Sequence, residues 1–188
     1  MHRLHPVHLE PLPWRSTGEA IVTNDHTFHY TNVAPQVNGY NGRDWGDLED
    51  YVLNQTQMKE KRVTVFTGPI FRSDDPSFTV RKTQATYQIP ISFWKIAVIE
   101  RSPTKIAAVG FRNGQLNYVR ALYEAQIFSA LRPYTLEELK DQNIQVPIST
   151  IEEETGLNFA ALRDVDTLDA LEATKRVRFI RKASDILF

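Results

Sequence analysis

A predicted helix with polar residues beside its apolar stripe is the sequence feature that most constrains the fold of this chain. Residues 41–54 have helical periodicity, and their apolar positions predict a buried stripe: Trp45, Leu48 and Val52. Glu49 lies beside this stripe, and Asn41, Trp45 and Glu49 share one helix face because they are four residues apart. A carboxylate there is costly to bury unless it is paired or hydrogen-bonded. Local features alone fit a structural interpretation, with Asn41 as the N-cap of the helix and Glu49 bonded to a neighbour.

The remaining pattern predicts short strands and short capped helices. Strands are predicted over four ranges: residues 27–33, 62–66, 89–99 and 105–111. The second strand is expected to end at the Gly68-Pro69 turn, and the last two are expected to pair. Capping-box spacing predicts short helices that begin at three positions: Ser16, Thr135 and Thr150. Gly156 can close the last of these helices, and residues 118–131 fit either a helix or a strand.

The chain length and the C-terminal sequence suit one domain followed by a tail. The chain has 188 residues, an ordinary length for a single domain. The tail from Thr167 is predicted to form one more helix, and it contains five basic residues: Lys175, Arg176, Arg178, Arg181 and Lys182. A charge run of this kind is either a solvated helix face or a phosphate-binding surface.

Composition excludes several classes of site. The chain has no cysteine, which excludes disulfides, thiolate metal sites and a cysteine nucleophile. Its net charge of −1 argues against a large, static nucleic-acid-binding surface and suits an enzyme that grips a few phosphates through a metal. The N-terminal sequence has no apolar run that would indicate a signal peptide, and no segment predicts a membrane span. A membrane is therefore not among the expected partners.

Several segments, in the same order along the chain, resemble the DNA/RNA non-specific endonucleases, a family with a ββα-metal core. The first segment reads TFHYTNVAPQ over residues 27–36, and Asn41, Trp45 and Leu48-Glu49 follow it. Three further segments agree in order: FTGPIF at 66–71, IP with FWK between 89 and 95, and QVPI, IE and TGL between 145 and 157. The resemblance covers residues 3–165. It implies a domain over residues 1–165, with residues 166–188 as a basic C-terminal helix or tail.

The implied fold is α+β, a ββα-metal nuclease core with an antiparallel sheet flanked by helices. Relatives have further strands before this region, and those N-terminal strands are expected to be missing here. An uncovered sheet edge invites pairing with another chain. The expected protein partner is therefore a second copy in a homodimer or a complementing chain.

The resemblance also implies a magnesium site. Asn41 corresponds to the sole protein ligand of the metal, and Asn32 and Gln36 correspond to amides that line the site. Glu49 corresponds to the carboxylate that holds water of the metal. Mg²⁺ is a hard ion that keeps most of its waters, so one neutral oxygen ligand and a substrate phosphate suffice, and Mn²⁺ can replace it. A carboxylate outside the ligand set orients those waters.

The general base corresponds to the histidine of an Asp-Arg-Gly-His motif. Here the chain reads His2-Arg3-Leu4-His5, so that His5 matches the base and Arg3 matches the phosphate-binding arginine. His8 is the rival, because His8-Leu9-Glu10-Pro11 fits a His-Leu-x-Pro pattern of the same motif. A third alternative is that neither histidine acts.

The implied activity is metal-dependent hydrolysis of DNA and RNA without sequence preference, by a water that the histidine activates. Two other functions stay open. One is a degenerate or truncated nuclease domain that binds nucleic acid, metal or a partner without cleavage, and the other is an unrelated α+β interaction module. Members of the family are often secreted, but the sequence leaves the compartment of this protein open.

Overall fold

A five-stranded antiparallel sheet is the centre of the structure, a computed structural model that describes residues 4–6, 33–57, 63–124, 143–169 and 177–187. Its strands are β3 (Val63–Ile70), β6 (Ser92–Ser102), β7 (Lys105–Gly114), β8 (Ile144–Val146) and β9 (Arg178–Phe179), in the spatial order β3-β6-β7-β8-β9. Between β3 and β6 the chain forms a hairpin of β4 (Ser77–Thr79) and β5 (Thr86–Gln88). The predicted antiparallel sheet is therefore confirmed.

Strands β6 and β7 form the central pair, as the sequence predicts. They are joined at a tight turn, and Ser102 pairs with Lys105 across it. The prediction that β3 ends at Gly68-Pro69 is wrong, because the strand continues to Ile70. Pro69 is tolerated there because β3 lies at the edge of the sheet and pairs only with β6 among the sheet's strands. Gly68 leaves room for Trp94, since a Cβ at Gly68 would lie 3.0 Å from the indole nitrogen.

The N-terminal half of the described chain has the order strand, strand, helix. Strand β1 (Leu4–Pro6) pairs antiparallel with β2 (Pro35–Val37). The long helix, residues 38–57, follows β2 directly and has three consecutive segments: α1 (Asn38–Tyr40), a π-helical segment (Asn41–Trp45) and α2 (Gly46–Gln57). It begins three residues before the predicted start. Asn41 has helical dihedral angles, so its predicted N-cap role is wrong, and the extended residue Val37 precedes the helix.

Three shorter helices complete the described elements: α3 (Leu116–Glu124), α4 (Ile148–Thr155) and α5 (Ala160–Arg163). Residues 118–131, which fit either a helix or a strand by sequence, are therefore helical over their described part, up to residue 124. Helix α4 begins two residues before Thr150, and the predicted capping box is wrong. The reason is that the Asp166 carboxylate accepts the Ile148 N–H at 2.7 Å, so a distant side chain caps the helix. Gly156 closes α4 with a positive φ of 71°, as predicted.

The C-terminal tail is not helical where it is described. Arg178 pairs with Gln145 and Phe179 with Ile144, so β9 extends the sheet, and a short 3₁₀ helix follows (Ala183–Asp185). Ile180 and Ile186 are buried in one cluster with Leu48 of the long helix. Burial of these two apolar side chains favours the extended path over the predicted helix. Residues 170–176, with two of the basic residues, lie outside the described residues.

Some predicted elements also fall outside the described residues. They are the strand over residues 27–33 as far as residue 32, and the helices that begin at Ser16 and Thr135. Among the described residues, no helix is both long and apolar enough to cross a membrane.

The sheet separates two layers. On β6, Phe93 and Ala97 pack in clusters with the long helix, whereas Trp94 and Ile96 pack in a cluster with α4. This alternation is the period of two that a strand imposes. We call the two sides the long-helix face and the α4 face. Lys95 is two residues from both Phe93 and Ala97 on β6. Because side chains two residues apart on a strand share a face, Lys95 lies on the long-helix face.

Candidate functional site

Asn41 begins the π-helical segment of the long helix. Its side chain is partly exposed, and it makes no hydrogen bond to the described residues. A single π-helical turn inside an α-helix widens the backbone and is frequent at functional sites. The amide of Asn41 is therefore available to a ligand, and its position is set by helical residues on both sides.

Glu49 obtains the partner that its position on the helix requires. The Lys95 Nζ atom lies 3.0 Å from Glu49 Oε1, and the Lys95 side chain is only 2% exposed. The same ammonium lies 4.3 Å from the centroid of the Trp45 ring, a cation–π distance. Burial lowers the pKa of Lys95, and the charge of Glu49 opposes this shift. The sequence did not identify this partner, although a lysine inside the apolar run FWKIAVI is a visible signal.

The side chains of Gln36 and Tyr40, shortly before Asn41, are polar and are buried without hydrogen-bond partners among the residues that the structure describes. Gln36 is 0% exposed, and neither of its amide atoms has a hydrogen bond to the described residues. The Tyr40 hydroxyl is buried and without a partner in the same way. Leaving such a group unpaired costs about 1–3 kcal/mol, so these atoms are candidates for contact with water or a ligand.

Gln115 fixes the strand that carries Gln36. Its Oε1 accepts the Val37 N–H at 2.8 Å, and its Nε2 donates to Pro35 O at 3.1 Å and to Pro90 O at 2.6 Å. Val37 and Pro35 thus use one edge of β2. Because backbone groups alternate along a strand, those of Gln36 face the other edge, where β1 pairs. Sequence analysis missed Gln115, whose partners are distant in the chain.

Asp44 adds a second carboxyl group near the start of the helix. Tyr118 forms a side-chain hydrogen bond with Asp44, and burial raises the pKa of Asp44. Burial also raises the pKa of Tyr40 well above its usual value, and the charges of Asp44 and Glu49 act in the same direction. The charges of both carboxylates therefore favour the neutral form of the Tyr40 hydroxyl.

The histidine motif is described only through the backbone of β1. His5 lies directly opposite Gln36 in the β1–β2 register. The fold thus brings the predicted base to the strand that leads into the long helix. The other predicted site residues of this region, Arg3, His8 and Asn32, lie outside the described residues.

The described residues fit a hydrated divalent cation. They supply a neutral amide at Asn41, the Glu49 carboxylate, and the Gln36 amide and Tyr40 hydroxyl, which have no hydrogen-bond partner among these same residues. Mg²⁺ binds through few protein ligands and retains its waters, which need polar acceptors and donors around them. No group of three or more His, Cys, Asp and Glu side chains that could hold a metal ion occurs within the described part of the chain. A fully protein-ligated ion would need such a group.

Comparison with known proteins points to one family. The model of the DNA/RNA non-specific endonucleases matches residues 12–166. The chain is 31% identical over 188 residues to the uncharacterized protein y4fB of Sinorhizobium fredii, with coverage of 99% of this chain and 26% of that protein. It is 29% identical to nuclease C1 of Cunninghamella echinulata, covering 82% of this chain and 58% of the nuclease. It is also 29% identical to mitochondrial endonuclease G of Bos taurus, covering 72% of this chain and 41% of that enzyme.

The chain spans less than two thirds of the length of each of these relatives. Among solved structures, a crystal structure of the EndoG/EndoGI complex matches with 24% identity and a TM-score of 0.46, covering 77% of this chain and 55% of that chain. The assignment to a family rests on the sequence match over residues 12–166 and not on this superposition.

Proposed function

The chain belongs to the DNA/RNA non-specific endonuclease family, and from this membership we propose that it hydrolyses phosphodiester bonds of DNA and RNA in a metal-dependent reaction. The observation that carries the proposal is the arrangement of the long helix. Its π-helical segment presents the Asn41 amide, which makes no hydrogen bond to the described residues, and two turns later a buried lysine holds Glu49. A family match without such a site would leave only the fold.

The proposed ion is Mg²⁺, which Mn²⁺ can replace, and Asn41 is the residue that would hold it. Bound there, the ion would stabilise the negative charge that develops on the phosphate during hydrolysis. The amide oxygen of Asn41 is a suitable donor because it is neutral and hard. Glu49 would orient water in the site by accepting its hydrogen bonds. Gln36 and Asn32 would line the site with further amide groups.

We propose His5 as the general base, with His8 as the alternative. The support for His5 is its register opposite Gln36, which ties the motif to the strand before Asn41. A histidine in this place would take the proton of the attacking water, a step that general-base catalysis accelerates by about 10²–10⁴-fold. Arg3 would contact the phosphate. Recognition through the phosphate backbone carries no sequence information, so cleavage should show weak sequence preference.

Cleavage assays with the purified chain test this function. Supercoiled plasmid and total RNA are incubated with Mg²⁺, with Mn²⁺ or with EDTA, beside Asn41→Ala, His5→Ala and His8→Ala. Both substrates should be degraded only with metal, and Asn41→Ala should lower the rate by about 100-fold or more, equivalent to several kcal/mol of lost charge stabilisation. Asn54→Ala is the matched control, because Asn54 is an exposed residue of the same helix.

The histidine variants decide the base. Loss of cleavage in His5→Ala with normal activity in His8→Ala supports His5, and the reverse pattern assigns the base to His8. A folded wild-type chain that cleaves neither substrate with either metal would refute the nuclease proposal. The non-catalytic binding function would then be tested by retention of labelled DNA and RNA on the same protein.

A further inference from the structure

Lys95 occupies a position where the fold expects an apolar residue. It lies on the central strand β6, opposite Thr67 of β3 and Phe111 of β7. Its neighbours on the same face of β6, Phe93 and Ala97, are both fully buried under the long helix. Lys95 itself is 2% exposed. A charged group in such a place is costly unless it is paired and hydrogen-bonded.

Stability alone does not account for this lysine. Replacing a buried ion pair by apolar residues of similar volume is often neutral or stabilising, by about 1–4 kcal/mol. A methionine at position 95 would fill the same space between the sheet and the long helix without the cost of a buried charge. The structural context therefore favours an apolar residue, and the charge calls for another explanation.

The contacts of the ammonium supply that explanation. It touches two side chains of the long helix one turn apart, the ring of Trp45 at 4.3 Å and Glu49 Oε1 at 3.0 Å. Asn41 lies one further turn toward the N-terminus. Lys95 thus ties the helix to the sheet in the turn between Trp45 and Glu49. It donates to one oxygen of the Glu49 carboxylate, Oε1, and the other oxygen accepts no hydrogen bond from the residues that the structure describes.

We infer that Lys95 is the positioning residue of the site: its buried ammonium holds the Glu49 carboxylate in one orientation. The inference rests on the proposed function, because it assigns to Glu49 the task of orienting water around the ion at Asn41. Lys95 touches neither the ion nor the substrate in this arrangement. It acts through Glu49 alone, and this gives the inference a specific consequence. Removal of Lys95 should matter only while Glu49 is a carboxylate.

A double-mutant cycle tests this consequence with two measurements. The proteins are wild type, Lys95→Met, Glu49→Gln and the double variant, with Lys105→Met as the control at an exposed position of β7. Mn²⁺ affinity is measured without nucleic acid, from the electron paramagnetic resonance signal of free Mn²⁺. Plasmid cleavage is measured at saturating Mg²⁺. Circular dichroism confirms that each protein is folded, and the double variant avoids both an unpaired lysine and an unpaired carboxylate.

Lys95→Met should weaken Mn²⁺ binding and slow cleavage by roughly 10–100-fold, the usual effect of losing a partner just outside the ligand set. In the Glu49→Gln background the same change should cost less than about twofold, because interacting residues are not additive. If Lys95 had only a structural role, the losses caused by the two single substitutions would instead multiply in the double variant. Lys105→Met should match the wild type in both measurements.

Two results would overturn the inference. One is a folded Lys95→Met protein with wild-type Mn²⁺ affinity and rate. The other is a loss of equal size in the presence and absence of the Glu49 carboxylate. A wild-type chain that binds Mn²⁺ without cleaving would contradict the nuclease proposal, but the Mn²⁺ affinities of the four proteins would still decide the role of Lys95.

Discussion

The two faces of the central sheet bury different kinds of side chain. On the α4 face the buried cluster is apolar and includes Trp94, Ile96 and Ile151. Its buried carboxylate, Glu152, is satisfied, because it accepts the Phe159 N–H at 2.5 Å and pairs with an arginine. On the long-helix face, several fully or almost fully buried side chains are polar, among them Gln36, Lys95, Asn113, Gln115 and Gln145.

The contrast separates the two tasks of the fold. Apolar burial stabilises a domain by about 25 cal/mol per Å² removed from water, and the apolar cluster on the α4 face provides such burial. Buried polar groups cost free energy unless they are satisfied, and the long-helix face contains several that have no hydrogen-bond partner within the described part of the chain. A functional site that contains buried polar groups without partners lowers the stability of the fold, and the packing of other regions compensates for this loss. We therefore expect changes in the apolar cluster on the α4 face to affect unfolding. Changes on the long-helix face should affect activity where the polar group lacks a partner among the described residues, and stability where the group is hydrogen-bonded.

The largest effect on stability should come from Ile151→Ala. Ile151 is fully buried in α4, and a Cβ at Gly110 would lie 3.1 Å from its Cδ1 atom, so the packing there is tight. Truncation should lower the free energy of unfolding by about 2–5 kcal/mol, the range for buried isoleucine. Urea denaturation measures this loss, with Ile106→Ala as the control because Ile106 is 48% exposed.

The same Ile151→Ala protein should cleave plasmid at nearly the wild-type rate at a temperature where it is folded. This second measurement tests the separation of the two faces. A folded variant with a large loss of activity would show that the α4 face also shapes the site.

The next largest change in the free energy of unfolding is expected from a matched comparison of two glutamines on the long-helix face. Gln36 and Gln115 are both 0% exposed, but within the described ranges only Gln115 has hydrogen-bonded side-chain atoms. Gln115→Leu should lower the free energy of unfolding by about 2–4 kcal/mol, because it leaves Val37 N–H and two carbonyls unpaired. Gln36→Leu should leave stability unchanged or raise it by about 1 kcal/mol, because it removes an unsatisfied amide. Urea denaturation of both variants checks the difference.

Gln36→Leu should nevertheless reduce cleavage, because the amide is proposed to line the site. Equal destabilisation by the two substitutions would contradict this account. It would mean that Gln36 is bonded in solution as well as Gln115 is.

Sequence patterns predicted the parts of this molecule that depend on local spacing. The long helix, the β6–β7 pair and the Gly156 end of α4 follow from apolar periodicity and glycine conformation. Features that depend on distant contacts were missed or wrong. Lys95 is 46 residues from Glu49, and Asp166 caps α4 from 18 residues away. Local propensity contains no information on such pairs, because tertiary packing decides them.

The site divides in the same way. The family resemblance indicated Asn41 and Glu49 from their spacing on one helix, and the structure places both on the long helix. Lys95 and Gln115 could not be assigned from spacing, because their hydrogen-bond partners are distant in the chain: Glu49 for Lys95 and Val37 for Gln115. A buried lysine in an apolar strand is the kind of local inconsistency that indicates a functional site before the fold is known.

The smallest effect concerns a carboxyl group at the base of the β4–β5 hairpin. Asp75 accepts the Arg72 N–H at 2.8 Å and the Ile91 N–H at 3.4 Å, and Ile91 belongs to the cluster on the long-helix face. Burial raises the pKa of Asp75 from 3.8 to about 6, although both backbone hydrogen bonds oppose this shift. Asp75 is thus a further polar group whose burial on this face is only partly compensated.

The raised pKa gives the free energy of unfolding a definite pH dependence. Between pH 3.8 and about 6 the folded chain binds more protons at Asp75 than the unfolded chain, so this contribution to stability is present at low pH and is lost as the pH rises. For a half-exposed group the loss should be about 1 kcal/mol after solvent screening.

Asp75→Asn should remove this pH dependence of the free energy of unfolding, and urea denaturation across this pH range measures the difference from wild type. Asp164→Asn, at the exposed residue that follows α5, should follow the wild-type curve. Parallel curves for wild type and Asp75→Asn would mean that hydrogen bonds at the hairpin base fully compensate the burial of Asp75, and the uncompensated polar groups of this face would then be confined to the vicinity of Asn41.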